Sequence, residues 1–239
     1  MSSLFFSRAT TVLAENRDQA DRGATRPYVV HQLVADLFGQ YDERPFLYRP
    51  ERSEGTSQPV LILSRQPPLE VDEVPGRTFG SVRSVKTKPF DLNVPGGTRL
   101  DFEIRLNATK DVRLDSGRTK RTDVWEAVWQ ANPDTSQTPV HVYQEYLARK
   151  LEGAAIVDAA HLTARGFVRA RRNLHQRAIT FVAVNVIGSL TVEASDRLRG
   201  VMARGIGRSK AFGCGLLCLS RPGSVLPRRH PEEAKRLLA

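Results

Sequence analysis

The stretch RPYVVHQLVADLF, residues 26–38, sets a phenol and an imidazole three residues apart, Tyr28 and His31. At about 100° per residue that spacing puts them roughly 60° from each other on a helical wheel. The apolar positions Val29, Val30, Leu33, Val34, Leu37 and Phe38 average onto another face, so both polar side chains are free to look out of the fold together. An imidazole exchanges protons near neutral pH, and a phenol beside it can orient or relay one. On these residues alone two readings stay open: the acid–base pair of a catalytic site, and the polar edge of an amphipathic helix.

Two further constellations suit an anion. ARGFVRARRNLHQRAITF carries Arg165, Arg169, Arg171, Arg172 and Arg177 with His175 and no carboxylate. Guanidinium groups on a hairpin can pair with successive phosphates of a nucleic acid, and they repel one another without such a partner. RGIGRSKAFGCGLL gathers Gly205, Gly207, Gly213 and Gly215 around Arg208, Ser209 and Lys210. Glycines let the backbone approach a phosphate, and a nest of N–H groups beside Lys210 would hold one. The P-loop and dinucleotide-binding patterns are both absent, which argues against a nucleotide triphosphatase. No His or carboxylate cluster has metal-ligand spacing: His141, His161 and His230 each stand alone, so neither metal nor cofactor is expected. Cys214 and Cys218 fit neither a redox nor a zinc motif and are expected as reduced core residues.

Charge distribution sharpens the choice of partner. The chain of 239 residues carries a formal net charge of +10, with an isoelectric point near 10.1. Between Ala159 and Pro231 there are thirteen Lys or Arg and only two acids, Glu193 and Asp196, so the excess charge belongs to the C-terminal third. A polyanion is the partner such a patch selects. No apolar run approaches the roughly 18 to 20 residues of a membrane span, no secretion-signal pattern opens the chain, and no basic amphipathic helix suits a membrane surface. No membrane partner is expected, and the expected compartment is the cytosol.

The elements that must position these residues follow from periodicity and punctuation. SLFFSRATTV reads as a first strand. A helix from about Pro27 to Phe38 follows, with Thr25 as N-cap and Gly39 at its end. RPFLYRP and PVLILSR read as two strands, and PPLEVDEVPG as a linker. After NVPGG, TRLDFEIRLNA alternates as a strand. Helices at TDVWEAVWQAN and PVHVYQEYLARKLEG come next, then strands at GFVRARR and AITFVAVNVIGSLTVEA. A helix at SDRLRGVMARG, N-capped by Ser195, and a closing strand at GCGLLCLS complete the order. This predicts an α+β protein of two tandem ferredoxin-like (RRM-like) domains with antiparallel sheets, over residues 1–95 and 96–220, and a tail over 221–239.

The glycine-rich segment GIGRSKAFGCGLLCLS resembles the C-terminal signature of the CRISPR-associated endoribonucleases of the CasE family, within the repeat-associated RAMP superfamily. SVKTKPFDL and LDFEIRLNATK are similar to that family's lysine-bearing strand and its R-L-x-A-N-P-x-K stretch, and RPYVVH resembles its P-Y-x-x-H segment. The resemblance implies a double ferredoxin-like, metal-independent enzyme that cuts precursor CRISPR RNA at the base of the repeat stem-loop. It would remain with the mature guide RNA among the subunits of a Cascade-type complex. It implies His31 as general acid or base, with Tyr28 as its partner at the 2′-hydroxyl. Arg169, Arg171 and Arg172, with Arg165 and Arg177 beside them, would grip the stem; Lys86 and Lys88 would lie near the RNA. Gly205, Gly207 and Gly213, with Arg208 and Lys210, would form the glycine loop. The sequence departs from the pattern at RLNATKD and at Asp36, which stands five residues after His31 where some members carry lysine. The alternative is a non-catalytic RNA-binding subunit of the same superfamily.

Overall fold

The computed structural model describes residues 3–14, 24–77, 79–173 and 175–223. His230 and most of the expected tail lie outside the described residues. The chain divides into two compact units. The first comprises residues 1–91 together with 167–181 and 209–216; the second comprises 92–166, 182–208 and 217–239.

In the first unit, β1 (Leu4–Leu13), β2 (Phe46–Pro50), β3 (Ser57–Ser64) and β4 (Gly80–Phe90) form a sheet in the order β2-β3-β1-β4, every neighbouring pair antiparallel. Helix α1 (Arg26–Asp36) connects β1 to β2, which makes the ferredoxin-like arrangement. A short 3₁₀ turn at Val71–Glu73 stands where a second helix would be. The apolar stripe of α1 dictates its docking: Val29, Val30, Leu33 and Val34 are buried with Ala9, Leu13, Phe46, Tyr48, Val60 and Ile62 of the sheet. Phe38 stacks on Phe46 with ring centres 4.7 Å apart, just beyond the helix end.

The second unit repeats the arrangement. Its sheet holds β5 (Arg99–Leu106), β8 (Ala155–Ala170), β9 (Ile179–Val192) and β10 (Leu217–Ser220) in the order β10-β5-β9-β8. Helices α2 (Val124–Ala131), α3 (Pro139–Leu151) and α4 (Ser195–Arg204) complete it. β5 alternates as expected, with Leu100, Phe102, Ile104 and Leu106 buried.

Three local expectations are corrected. The hairpin β6 (Thr109–Arg113) and β7 (Thr119–Asp123) is missing from the sequence reading: its strands are polar and largely exposed, so they lack the apolar alternation that marks a half-buried strand. β8 begins at Ala155, eleven residues before the expected start, because the alternation of buried and exposed positions at its beginning is not sustained along the strand. Ser195 is the first residue of α4 and not its cap; its hydroxyl donates to the Leu92 carbonyl at 2.7 Å and accepts from Val94 N–H at 3.3 Å. Cys214 and Cys218 are buried free thiols. Among the described residues no helix is long and apolar enough to cross a membrane.

Candidate active site

Pro27 in the first turn of α1 carries the fixed backbone angle that a helix start accepts, and Thr25 stands at the N-cap. Its hydroxyl does not cap the helix. It accepts the backbone N–H of Arg171 at 2.9 Å, while the Thr25 N–H donates to the Arg171 carbonyl at 2.9 Å. The arginine-rich tip of the β8–β9 hairpin is thereby tied to the start of the helix that carries Tyr28 and His31.

His31 sits in a cage of three rings. Tyr48 stacks on it with centres 6.4 Å apart and planes 16° apart, Phe46 lies at 6.5 Å, and Phe212 meets it edge-on at 6.2 Å. Phe46 and Tyr48 occupy alternate positions of β2 and so share the face that α1 covers. Phe212 comes from the glycine-rich segment, 181 residues along the chain, and Phe181 stacks on it in turn at 5.8 Å. Burial, with a smaller contribution from the positive charge of Arg44, lowers the His31 pKa from 6.5 to about 4. Its Nδ1 is enclosed without a hydrogen-bond partner among the described residues. The imidazole is therefore neutral at pH 7 and serves better to accept a proton than to donate one. Tyr28 is partly buried on the same helix, and among the described residues no hydrogen bond joins it to His31.

The glycine-rich segment reaches this cage by close backbone packing. Gly213 has φ +79°, and a Cβ there would lie 2.4 Å from Cδ of Pro50, so only glycine fits. The contact seats the neighbouring backbone where the Tyr48 hydroxyl donates to the Ala211 carbonyl at 3.0 Å. Within the expected nest of N–H groups, five amides are already engaged. The amides of Gly205, Arg208, Phe212, Gly213 and Cys214 all donate to backbone carbonyls, so they are not turned toward a ligand. Gly205 ends α4. Gly207, in the second unit, lies against the Asn107 carbonyl, where a Cβ would come within 2.8 Å.

The remaining expected residues are placed as follows. Arg169, Arg172 and Arg177 are exposed on the hairpin, with Arg171 partly buried. Arg208 is exposed and Lys210 partly buried. Lys86 and Lys88 are exposed on β4, paired in register with Arg8 and Phe6. They alternate with Thr87, whose hydroxyl meets that of the buried Ser7, 2.9 Å away, on the α1 side of the sheet. The two lysines thus belong to the opposite face from His31. Arg165, in the second unit, is engaged in a polar cluster. The Tyr143 hydroxyl donates to both oxygens of the buried Asp123 at 2.9 Å. Arg165 donates to Tyr143 Oη at 3.3 Å and to Asp123 Oδ1 at 3.4 Å. Burial and the Asp123 charge push the Tyr143 pKa well above that of a free phenol. His141 has a partner after all, Glu145 at 3.1 Å one turn on. Asp36 is buried and receives a two-point pair from Arg77, at 2.8 Å and 2.5 Å. Among the described residues no group of three or more His, Cys, Asp or Glu is placed to hold a metal ion.

Sequence reasoning missed the three caging rings and Arg44. Phe46 and Tyr48 at alternate strand positions were the available signal; Phe212 and Arg44 carried none.

Two successive ferredoxin-like folds, with a caged histidine on the first helix, define a tandem ferredoxin-like protein with a candidate acid–base site. The family model described as CRISPR associated protein matches residues 4–221, and the chain belongs to that family. It is 28% identical over 199 residues to the CRISPR system Cascade subunit CasE of Escherichia coli strain K12, covering 81% of this chain and 91% of that protein. The fold is shared with the crystal structure of the CRISPR-associated protein Cas6e from Escherichia coli K-12. That match has a TM-score of 0.62 and 24% identity, over 90% of this chain and 99% of the other. It is shared too with Thermus thermophilus Cse3 bound to an RNA representing a pre-cleavage complex. There the TM-score is 0.64 and the identity 23%, over 91% and 99% of the two chains.

Proposed function

We propose that this protein is an endoribonuclease that cuts precursor CRISPR RNA at the base of the repeat stem-loop and stays with the mature guide RNA. RNA supplies its own nucleophile. The 2′-hydroxyl attacks the adjacent phosphorus, its proton passes to His31, and the bond to the 5′-oxygen breaks. The products are a 2′,3′-cyclic phosphate and a 5′-oxygen that takes up a proton to become a hydroxyl. Because the nucleophile is internal, the reaction needs alignment and proton transfer and no metal-activated water. Enclosure of Nδ1 leaves Nε2 as the nitrogen that meets the substrate, with Tyr28 orienting the 2′-hydroxyl. Arg169, Arg171, Arg172 and Arg177 hold the stem, and Arg208 and Lys210 add charge along the RNA.

The observation that carries this reading is the neutral, caged His31 on a helix whose N-cap residue, Thr25, is hydrogen-bonded to the arginine hairpin. The E. coli relative is a Cascade subunit, which supports assembly of this chain into a complex of that type, and the Thermus relative was captured with RNA. Incubation of repeat RNA with the protein in EDTA should give one cut, which His31→Ala abolishes with binding retained. A 2′-deoxy substitution at the scissile nucleotide should block it. Cutting of the deoxy substrate would rule out the internal nucleophile, and binding without any cut would identify a non-catalytic RNA-binding subunit.

A further inference from the structure

We infer that Arg44 is a further catalytic residue, whose guanidinium binds the phosphate under attack and takes up the negative charge that develops on it. The inference rests on the ribonuclease reading. Arg44 lies just before β2, and its guanidinium carbon stands 6.0 Å from the centre of the Phe46 ring. Phe46 is also a wall of the His31 cage, so the cation and the imidazole sit against one ring. Their proximity has an electrostatic consequence: Arg44 helps to hold His31 neutral.

Among the described residues of the first unit Arg8 and Arg77 each have a carboxylate partner; Arg44 has none, although its neighbours in sequence are Asp42 and Glu43. It is partly buried, and that burial lowers its own pKa. A cation removed from water without a counter-ion destabilises the free protein, and an incoming anion relieves that penalty. An arginine backed by an aromatic ring keeps its N–H edge available for two-point pairing with a phosphate. Arg77, which pairs with Asp36 at the end of α1, cannot serve equally, since Asp36 already takes two of its N–H groups. Once a phosphate occupies Arg44, its smaller contribution to holding His31 neutral is offset and the imidazole becomes a stronger base in the bound state.

The test is single-turnover cleavage of precursor repeat RNA by the wild-type protein, R44Q and R44K. R44Q should slow the chemical step by about 10²- to 10³-fold, the loss typical of one donor to a developing oxyanion. The dissociation constant for RNA should change by no more than about threefold, because the hairpin arginines dominate binding. R44K should recover part of the rate, since it restores the charge without the fork. Sulfur in place of one non-bridging oxygen of the scissile phosphate should slow the wild-type protein in one diastereomer and add no further loss in R44Q. NMR titration of free R44Q should place the His31 pKa above that of the wild type, which also verifies that the variant is folded. Cleavage by R44Q at the wild-type rate, or equal sulfur effects in both proteins, would overturn the assignment. If the wild-type protein cuts and R44Q cuts as fast, Arg44 alone is wrong; if the wild-type protein leaves the RNA intact, the ribonuclease reading falls with it.

Discussion

Replacing His31 by glutamine tests the cage through the pH dependence of stability. Folding lowers the imidazole pKa from 6.5 to about 4. Between those values the unfolded chain binds a proton that the folded chain excludes, so stability falls as pH is lowered through the window and is unaffected above it. The full difference corresponds to roughly 3 kcal/mol. Restricting the comparison to about pH 7.5 and about pH 5 avoids most carboxylate titration and still leaves about 2 kcal/mol from His31. Urea unfolding of both proteins at the two pH values gives this number as a difference of differences. Titrations common to both chains cancel. The wild type should lose about 2 kcal/mol more than H31Q on acidification. Equal losses, or an NMR titration of His31 centred near 6.5, would refute the argument that the three rings desolvate the imidazole. Function follows the same value: kcat/KM for cleavage should stay level from neutral pH down to near 5 and fall only below that, because it reports the free protein's base.

Gly213→Ala forces a side chain into positive φ and onto Pro50, and should cost about 2 to 4 kcal/mol in urea unfolding while raising the His31 pKa in NMR, because Phe212 is displaced. Thr25→Val removes the hydroxyl that accepts the Arg171 N–H; hydrogen exchange at Arg171 should quicken, with a stability loss of about 1 to 2 kcal/mol. Tyr143→Phe removes the donor to buried Asp123 and should destabilise by about 1 to 3 kcal/mol, with the single-turnover cleavage rate of the folded protein unchanged. Arg169→Ala or Arg172→Ala should each reduce the slope of log affinity against log salt by roughly 0.7 to 0.9, measured by RNA titration; an unchanged slope would remove that arginine from the interface.

Sequence by itself determined what depends on near neighbours. The α1 stripe, the proline at its start, the alternation of β5 and the repeated βαββ order are all local patterns, because hydrogen bonding and side-chain direction repeat every 3.6 or 2 residues. The same periodicity put Tyr28 and His31 on one turn, and the crowding of arginines between 165 and 177 is a matter of composition. Tertiary structure alone decided what surrounds His31. Phe46 and Tyr48 reach it across the helix–sheet interface and Phe212 arrives from far along the chain, while Lys86 and Lys88 fall on the opposite face of the sheet. The glycines of the C-terminal segment look like a phosphate nest in one dimension. In three, Gly213 is the close contact that seats Phe212 against the imidazole, and the amides of Phe212, Gly213 and Cys214 are satisfied by carbonyls. No periodic signal encodes such contacts, because strand pairing and loop return are settled by burial of the whole apolar surface. The pKa of His31, and with it the choice between base and acid, is a property of that burial.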